Sequence, residues 1–262
     1  MEDKNETLSG GSMNQVEKIG NTVHRQVKGG PILHSYLQYL EKVGMDGVPR
    51  FLGLDEQGRE ILTYLPGKTQ GNGIPVFDPL LGAEKTIIGV ARFMRKLHDI
   101  SEGFLVEALA YNWINPEYPH ENCETICHND AAVWNFVFTN KRITGLIDFD
   151  DACAGTRIWD LAQSVYGTVH LLPWVSGENY ETSKHAAERK HRVKLYFDAY
   201  GMDCPPNFMN MVYQRIKIGV LDALSKGAAA GDETSIRLVK AGTLKHYEKV
   251  AAFIRDHGHE WV

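Results

Sequence analysis

Residues 126–138 read ICHNDAAVWNFVF, and three polar side chains interrupt this otherwise apolar run. His128, Asp130 and Asn135 would each lose contact with water if the run were buried, which is unfavourable unless other groups compensate. The carboxylate follows the imidazole by two residues, and the amide follows the carboxylate by five. An imidazole, a carboxylate and an amide placed together in such a run therefore require some specific compensating interaction.

A second apolar run, ITGLID, follows the polar turn TNKR and ends at Asp148. If FVF and ITGLID pair as an antiparallel hairpin, Asn135 and Asp148 lie within a residue or two of facing each other. Asp130 lies on the loop that enters this hairpin, so its side chain can reach the same place. Oxygen ligands of this kind suit Mg²⁺, which uses one or two carboxylates together with water and phosphate. Phosphoryl transfer is the chemistry that most needs such a set.

Composition and charge exclude several classes of protein. The 262 residues are 43% hydrophobic and 23% charged, which is typical of a globular protein with one large domain or two lobes. A net charge of −5 lacks the basic footprint of nucleic-acid binding, so we expect no nucleic-acid partner. The four cysteines form no paired CxxC pattern, and neither a signal peptide nor a membrane-length apolar run is evident. We therefore expect a cytoplasmic protein without membrane association.

The order of apolar patterns predicts an α+β chain with two lobes. Two short runs around Gly20-Asn21, an amphipathic helix between Pro31 and Gly44, and two runs on either side of residues 56–59 give strands plus one helix. After the glycine- and proline-rich connector 67–79 the pattern changes to long helices. These helices are predicted over residues 82–99, 159–171, 183–200, 206–229 and 233–257. A β-rich N-terminal lobe of residues 1–66 and a mainly helical lobe of residues 67–262 follow.

Two motifs carry a resemblance to a known family. H-N-D-A-A-V-W-N has the spacing of the kinase catalytic loop H-R-D-x-x-x-x-N, which a metal-binding aspartate follows. The segments ICHNDAAVWN and LIDFDDACAGTRIWDLA resemble motifs of aminoglycoside phosphotransferases and of related choline and fructosamine kinases. LSGGSMNQVEKIGNTVHR and GVPRFLGLDEQGREILTYLPG resemble more closely a bacterial subgroup of phosphotransferases and trifolitoxin-immunity-like proteins. The resemblance covers roughly residues 8 to 203 and implies a protein-kinase-like fold with a small nucleotide lobe, a hinge and a helical substrate lobe.

The resemblance implies roles for the polar residues of the C-terminal lobe. Asp130 would be the catalytic base that orients the acceptor hydroxyl, and His128 would brace its loop. Asn135 and Asp148 would bind Mg²⁺. Asp150 would be a secondary participant, through a second metal ion or a water molecule.

The resemblance also implies which residues bind the nucleotide, ATP or GTP. The loop over the phosphates would consist of Ser9, Gly10, Gly11 and Ser12. The hinge and the apolar walls around the base would consist of Thr63, Tyr64, Leu65, Val23 and Ile147. Glycines suit the loop because the absence of Cβ atoms lets backbone N–H groups approach the phosphates closely.

Two positions depart from the kinase pattern. A kinase fold supplies a strand lysine to the phosphates and pairs it with a glutamate on the following helix. By position, Arg25 replaces this lysine, and His34 stands where the glutamate is expected. Arginine keeps the charge but is bulkier and differently shaped, so both nucleotide affinity and activity stay open. Lys28 is a second candidate phosphate ligand.

Each of these residues also has a purely structural interpretation. His128 alone would more often be a core histidine, Asp130 could cap a turn, and Arg25 could be a surface charge on an alternating strand. Asp160 resembles a structural aspartate of the family but also suits a helix N-terminus. Trp134, Trp159 and Tyr166 are expected in the core rather than as a substrate platform, because their surroundings are apolar and periodic. The joint spacing of the polar residues favours the functional interpretation.

Three functions compete on this evidence. The leading hypothesis is a Mg²⁺-dependent kinase that phosphorylates a hydroxyl of a small molecule, such as an aminoglycoside, an amino alcohol or a sugar. The second is a nucleotide-binding immunity or regulatory module with little or no turnover, which Arg25 and His34 suggest. A hydrolase that uses a metal-bound water ranks third. Glu178 and Glu181 hint at a cationic acceptor, whereas the oligomeric state and the choice of ATP or GTP are not evident from the sequence.

Overall fold

The N-terminal part of the chain is built on an antiparallel sheet. The computed structural model describes residues 6–8, 16–74, 78–169, 171 and 185–262. The sheet has the spatial order β1-β2-β3-β5-β4. Its strands are β1 (Glu6–Leu8), β2 (Val16–Ile19), β3 (Thr22–Arg25), β4 (Phe51–Leu54) and β5 (Glu60–Thr63). The β2–β3 hairpin turns at Gly20 and Asn21, as predicted, and the β3–β5 register sets Arg25 opposite Glu60.

One amphipathic helix, α1 (Gly30–Lys42), lies between β3 and β4. Pro31 occupies its first turn, where the missing N–H costs no intrahelical hydrogen bond. Its apolar face is fully buried and consists of Ile32, Leu33, Tyr36, Leu37 and Leu40. The chain leaves the helix at Gly44, whose φ of +75° a residue with a Cβ adopts only at a cost. The predicted bounds of this helix are confirmed.

The rest of the chain is mainly helical. Its helices are α2 (Glu84–Ser101), α3 (Leu105–Ala110), α4 (Arg157–Thr168), α5 (Ala186–Tyr200), α6 (Phe208–Ile216), α7 (Ala223–Ala229), α8 (Glu233–Lys240) and α9 (Thr243–His257). A π-helical stretch, Lys217–Asp222, joins α6 to α7 within the helix predicted over 206–229. The single helix predicted over 233–257 is interrupted at Gly242, which has a φ of +87°. None of the described helices combines the length and the hydropathy of a membrane span.

Short strands interrupt the helical part and shape the site. They are the parallel pair β6 (Thr69–Gln70) and β7 (Gly73–Ile74), and the antiparallel pairs β8 (Thr125–Cys127) with β11 (Cys153–Gly155) and β9 (Phe136–Thr139) with β10 (Arg142–Leu146). The β9–β10 hairpin turns at Asn140 and Lys141, which both have positive φ, as its tight turn requires. The predicted boundary between residues 66 and 67 lies between β5 and β6.

A backbone contact seats the sheet-bearing part on the β9–β10 hairpin. Gly47, in the loop between α1 and β4, accepts a hydrogen bond from Leu146 N at 2.8 Å. A Cβ atom at position 47 would lie 2.7 Å from the carbonyl oxygen of Thr144 and 3.0 Å from the ring of Phe93. Only glycine therefore permits this approach. The hydrogen bond involves Leu146, the last residue of β10, and Asp148 follows two residues later.

We predict that Gly47→Ala destabilises the protein more than Gly44→Ala. Both glycines have positive φ, +79° and +75°, so both variants lose about 1–2 kcal/mol from backbone strain. Only the alanine at position 47 meets neighbouring atoms, which adds about 1–3 kcal/mol of overpacking. Urea unfolding of both variants measures the difference. Equal losses would show that the loop does not depend on this close approach.

Candidate active site

The loop of residues 128–130 is held in place by Asp160. This aspartate stands in the first turn of α4 and has no exposed surface. Its carboxylate accepts the backbone N–H groups of His128 and Asn129, each at 2.8 Å, and Nε2 of His98 at 2.9 Å. Burial raises the pKa of Asp160, but the hydrogen bond and charge of His98 outweigh it and hold the pKa below its usual range. An ionised carboxylate thus joins α2, the loop and α4.

His128 connects the same loop to the end of β10. Its Nε2–H donates to the carbonyl of Ile147 at 3.1 Å, and its Nδ1 accepts from Asp130 N at 3.2 Å. These two contacts require one neutral tautomer, with the proton on Nε2. The ring is buried and packs edge-on against Phe149, with centroids 4.5 Å apart. His128 therefore lies between the loop and the hairpin, where it can fix their relative positions.

Asp130 presents a carboxylate that two amides orient. Oδ2 accepts from Asn135 Nδ2 at 2.7 Å, and Oδ1 accepts from Gln163 Nε2 at 2.9 Å. Burial is the largest influence on the pKa of Asp130 and raises it, although the two amide hydrogen bonds oppose this shift. The result is a carboxylate that is more basic than an exposed one. Gln163 was not recognised from the sequence, although it lies three residues after Asp160 on the same face of α4.

Asn135 and Asp148 come together as the hairpin pattern predicts. Ile147 N donates to Asn135 O at 2.9 Å, so Asp148 is one residue beyond the residue that pairs with Asn135. The Nδ2 of Asn135 also donates to Asp130 O at 2.9 Å, and no described residue donates to its Oδ1. Asp148 has a φ of +68° and a side chain that is 48% exposed. Both side chains line the same pocket.

Arg25 is surrounded by three carboxylates. Its Nε donates to Glu60 Oε1 at 2.7 Å, Nη1 to Asp148 Oδ1 at 3.2 Å and Nη2 to Asp150 Oδ1 at 2.5 Å. Burial lowers the pKa of Arg25, but the three carboxylates outweigh it and raise the pKa above its usual value. Lys28 lies at the edge of this cluster, 3.9 Å from Asp150. The interpretation of Arg25 as a surface charge is wrong, because only 7% of the residue is exposed.

The glutamate partner of Arg25 comes from the sheet rather than from the helix. Glu60 on β5 has no exposed surface, and its second oxygen lies 2.9 Å from Nε2 of His34 on α1. The ring of His34 stacks on Phe51 with centroids 3.7 Å apart. The glutamate that pairs with the basic strand residue therefore lies on β5, and a histidine occupies the helix position where the kinase pattern has the glutamate. Sequence reasoning missed Glu60, but a register prediction for β3 and β5 would have found it, since Arg25 and Glu60 are direct cross-strand neighbours.

Asp150 faces this cluster and does not line the pocket. Burial and the neighbouring Asp148 raise the pKa of Asp150 to about 6, against the opposing charges of Arg25 and Lys28. Its charge therefore changes between mildly acidic and neutral pH. Direct metal binding by Asp150 stays a prediction.

A pocket of about 240 Å³ lies between the sheet and the β9–β10 hairpin. Six of the predicted nucleotide contacts line it, namely Val23, Arg25, Thr63, Tyr64, Leu65 and Ile147, whereas the second candidate phosphate ligand, Lys28, does not. Further apolar lining that the sequence did not indicate comes from Val16, Pro49, Leu62 and Val137. Ser9, Gly10, Gly11 and Ser12, the predicted phosphate loop, lie outside the described residues.

Trp134 packs against the core, as expected, but it is not confined to the core. It is only partly buried, lines the pocket, and its Nε1 lies 3.5 Å from Oδ2 of Asp130. The short 3-10 turn Val133–Asn135 exposes it, because the strand begins only at Phe136. Trp159 and Tyr166 are buried, as expected.

We predict that Asp160→Asn destabilises the protein by about 3–5 kcal/mol at neutral pH, because an amide cannot accept from three buried donors. The folded-state pKa of Asp160 lies below its ordinary value of 3.8, so the stabilisation is complete above that value and is lost as the pH falls through the folded-state pKa. Urea unfolding at several pH values should show the wild type losing its advantage in acid.

Asp99→Asn is the matched control for this measurement. Asp99 is adjacent to His98 in sequence but is exposed, and it pairs with Arg95 and Arg157. We expect it to cost less than about 1 kcal/mol, as exposed ion pairs do. A similar cost for the two variants would contradict the central structural role of Asp160.

Comparison with known proteins supports the resemblance that the motifs suggest. Residues 104–188 match the sequence model of the Phosphotransferase enzyme family. This segment contains the loop of residues 128–130 together with Asn135, Asp148 and Asp160. No curated protein sequence matches the chain. The narrower resemblance to trifolitoxin-immunity-like proteins stays a prediction.

Solved structures share the fold over nearly the whole chain. The GDP complex of aminoglycoside 2'-phosphotransferase-IIIa aligns with a TM-score of 0.61 at 16% identity and covers 96% of this chain and 93% of its own. An amicoumacin kinase in complex with AMP-PNP and Ca²⁺ has a TM-score of 0.61 at 12% identity, with coverages of 94% and 87%. A choline/ethanolamine kinase family protein from Mesorhizobium loti has a TM-score of 0.54 at 16% identity, with coverages of 96% and 92%.

The predicted two-lobe kinase-like architecture is therefore confirmed. The chain has the fold of aminoglycoside phosphotransferases and of choline/ethanolamine kinases, and its residues 104–188 carry the sequence pattern of the phosphotransferase enzyme family.

Proposed function

We propose that this protein transfers the γ-phosphate of ATP or GTP to a hydroxyl group of a small molecule. One observation carries the proposal: a single pocket is lined by the hinge residues 63–65 and by both oxygen-bearing side chains, Asn135 and Asp148. The carboxylate of Asp130 is joined to Asn135 by a hydrogen bond at 2.7 Å. A nucleotide in this pocket would thus have its base at the hinge and its phosphates near the carboxylate.

The hinge offers backbone groups to the base. Tyr64 N already donates to Asn21 O at 2.9 Å, whereas no described residue accepts a hydrogen bond from Leu65 N. Leu65 N–H is therefore our candidate donor to the edge of the base. Val23 and Ile147 would cover the two faces of the ring, which suits a pocket with mainly apolar walls.

Arg25 is the candidate phosphate ligand on the sheet side. Glu60 fixes its Nε, so Nη1 and Nη2 can exchange their aspartate contacts for phosphate oxygens. A guanidinium is suited to this exchange because its planar fork fits carboxylate and phosphate equally well.

The described residues fit a magnesium ion on the hairpin side. Asn135 directs its amide nitrogen to Asp130, which leaves Oδ1 available as a metal ligand. Asp148 offers a half-exposed carboxylate to the same pocket. An amide and a carboxylate are the oxygen ligands that Mg²⁺ accepts, with phosphate and water completing the shell. When bound, the ion would neutralise charge on the phosphate oxygens.

Asp130 is the candidate base for the acceptor hydroxyl. Asn135 and Gln163 hold its carboxylate, so it needs no reorientation to accept the hydroxyl proton as the oxygen attacks phosphorus. Burial raises the pKa of Asp130, which makes the carboxylate a better proton acceptor at neutral pH. Protonation below that pKa removes the base, so turnover is expected to fall in acid.

The acceptor is proposed only as a class: an aminoglycoside, an amino alcohol or a sugar. Asp151 is exposed near the loop of Asp130, and its carboxylate adds to the negative charge there. Negative charge at a site mouth attracts cations, so we favour an acceptor that carries amino groups.

A second candidate function is nucleotide binding with little or no turnover. It is favoured by the engagement of Arg25 with Asp148 and Asp150, which ties a phosphate ligand to the predicted metal ligands. If these ion pairs persist with nucleotide bound, neither the guanidinium of Arg25 nor a metal ion on Asp148 would be available to the γ-phosphate. A protein of this kind would still gain thermal stability from a nucleotide.

We predict that Asp130→Asn lowers turnover by about 10²–10⁴-fold, the usual contribution of a general base. The measurement is release of ADP or GDP with Mg²⁺ and panels of aminoglycosides, amino alcohols and sugars. Nucleotide-dependent thermal stabilisation should survive in the variant, and Asp99→Asn should keep wild-type turnover. Undiminished turnover in Asp130→Asn would exclude Asp130 as the base, and stabilisation of the wild type without release for any acceptor would favour the second candidate.

We predict that Glu60→Gln weakens binding of the Mg²⁺-nucleotide about tenfold, or 1.4 kcal/mol, because a neutral amide holds the Nε of Arg25 more weakly than the carboxylate does. Isothermal titration calorimetry measures the affinity. Glu17→Gln is the matched control, since Glu17 is also a sheet glutamate paired with an arginine, Arg59, at 2.9 Å. Equal affinities in the two variants would show that Glu60 does not orient Arg25 toward the phosphates.

A further inference from the structure

The peptide group between Asn129 and Asp130 is held at both of its ends. Its N–H donates to Nδ1 of His128 at 3.2 Å, and its carbonyl accepts from Nη2 of Arg215 at 2.5 Å. Asn129 has a φ of +63°, a backbone conformation that needs support from its surroundings. Because this peptide immediately precedes the Cα atom of Asp130, its orientation sets the direction of the carboxylate.

Arg215 reaches the loop from α6 and is itself 4% exposed. Its Nη1 donates to the hydroxyl of Tyr118 at 3.0 Å, and its guanidinium lies 4.5 Å from the ring centroid of Tyr118 and 5.6 Å from that of Trp159. None of the described carboxylates forms an ion pair with it. Burial of such a charge is costly, so the carbonyl, the hydroxyl and the two ring faces must together compensate. A buried arginine without a carboxylate partner is less favourable than an apolar residue of similar size. The contact of Arg215 with the loop accounts for an arginine at this position.

The helix is shaped around this guanidinium. A Cβ atom on Gly219 would overlap Nη1 of Arg215, so a larger residue there would displace the side chain. Gly219 lies within the π-helical stretch Lys217–Asp222. Such stretches occur frequently at functional sites, where they adjust the path of a helix.

We propose that Arg215 is a positioning residue for phosphoryl transfer: it fixes the peptide that precedes Asp130 and thereby aims the base. The inference rests on the proposed function. Arg215 acts through the loop, since it is not among the residues that line the pocket and its hydrogen bonds go to Asn129 O and the hydroxyl of Tyr118.

Arg215→Lys tests the proposal. Lysine keeps the charge, but its single ammonium group lacks the planar fork with which the guanidinium donates to both Asn129 O and the hydroxyl of Tyr118. We expect kcat to fall about a hundredfold, as misplacement of a catalytic group by about 1 Å does, while KM for the nucleotide changes less than about twofold.

Arg189→Lys is the matched control. Arg189 is 6% exposed, donates from Nε to the carbonyl of Leu171 at 3.2 Å, and lies 5.5 Å from the ring of Phe253 and 5.4 Å from that of Trp261. It thus shares the burial, the carbonyl contact and the two aromatic neighbours of Arg215, away from the loop. We expect a comparable loss of stability in both variants and a loss of kcat only in Arg215→Lys.

A second readout separates this proposal from the proposed function. Amide hydrogen exchange at Asp130, followed by NMR, reports the hydrogen bond to His128 without any turnover. Exchange should accelerate at least about tenfold in Arg215→Lys and in Gly219→Ala, and should stay unchanged in Arg189→Lys. An Asp130 exchange rate equal to that of the wild type in both Arg215→Lys and Gly219→Ala would overturn the role of Arg215. An equal loss of kcat in Arg215→Lys and Arg189→Lys would also overturn it. If the wild type phosphorylates no acceptor, the proposed function fails, and exchange alone decides whether Arg215 positions the loop.

Discussion

The buried carboxylate of Asp160 is the interaction on which the site depends. The loop of residues 128–130 has no regular secondary structure, so the N–H groups of His128 and Asn129 need acceptors from side chains outside the loop. Asp160 supplies both acceptors and receives a third hydrogen bond from His98 on α2. Placing a charge where no surface is exposed is costly, and three directed donors offset that cost. The carboxylate of Asp160 therefore connects the loop, α2 and α4, and so holds the loop residue Asp130 in position.

Charge also links the two parts of the chain across the pocket. The guanidinium of Arg25 on β3 contacts Asp148 and Asp150, which follow β10, while Glu60 holds its Nε. A lysine could not bridge three carboxylates in this way, because its ammonium lacks the planar fork. Phosphate groups would compete with the two aspartates for the same N–H groups. Under the proposed function, binding of a nucleotide would thereby be coupled, through this one side chain, to release of Asp148 toward a metal ion.

The sequence predicted those features that depend on neighbours along the chain. The β2–β3 turn, helix α1 and the approach of Asn135 to Asp148 all follow from local periodicity and turn residues, and the structure contains each of them. The roles of Asp130 and His128 rest on spacing within one loop and remain predictions. The short elements α3 and β11 were missed, because three to six residues carry too little periodicity to recognise.

Features that need tertiary contacts could not be predicted in the same way. Glu60 becomes visible only with the β3–β5 register, and Gln163 only with the face of α4 that meets the loop. Arg215 is remote in sequence from Asn129, and an arginine in a helix is ordinarily a surface residue. Trp134 was expected in the core because its neighbours are apolar; it does pack against the core, but it lies in a 3-10 turn and also lines the pocket.

A crystal structure of the protein with Mg²⁺ and a non-hydrolysable analogue of ATP or GTP tests the central claim most directly. We predict a metal ion ligated by Oδ1 of Asn135 and the carboxylate of Asp148, with the base of the nucleotide against residues 63–65. A nucleotide bound away from this pocket would contradict the assignment. So would a nucleotide within it whose metal ion is ligated by neither Asn135 nor Asp148.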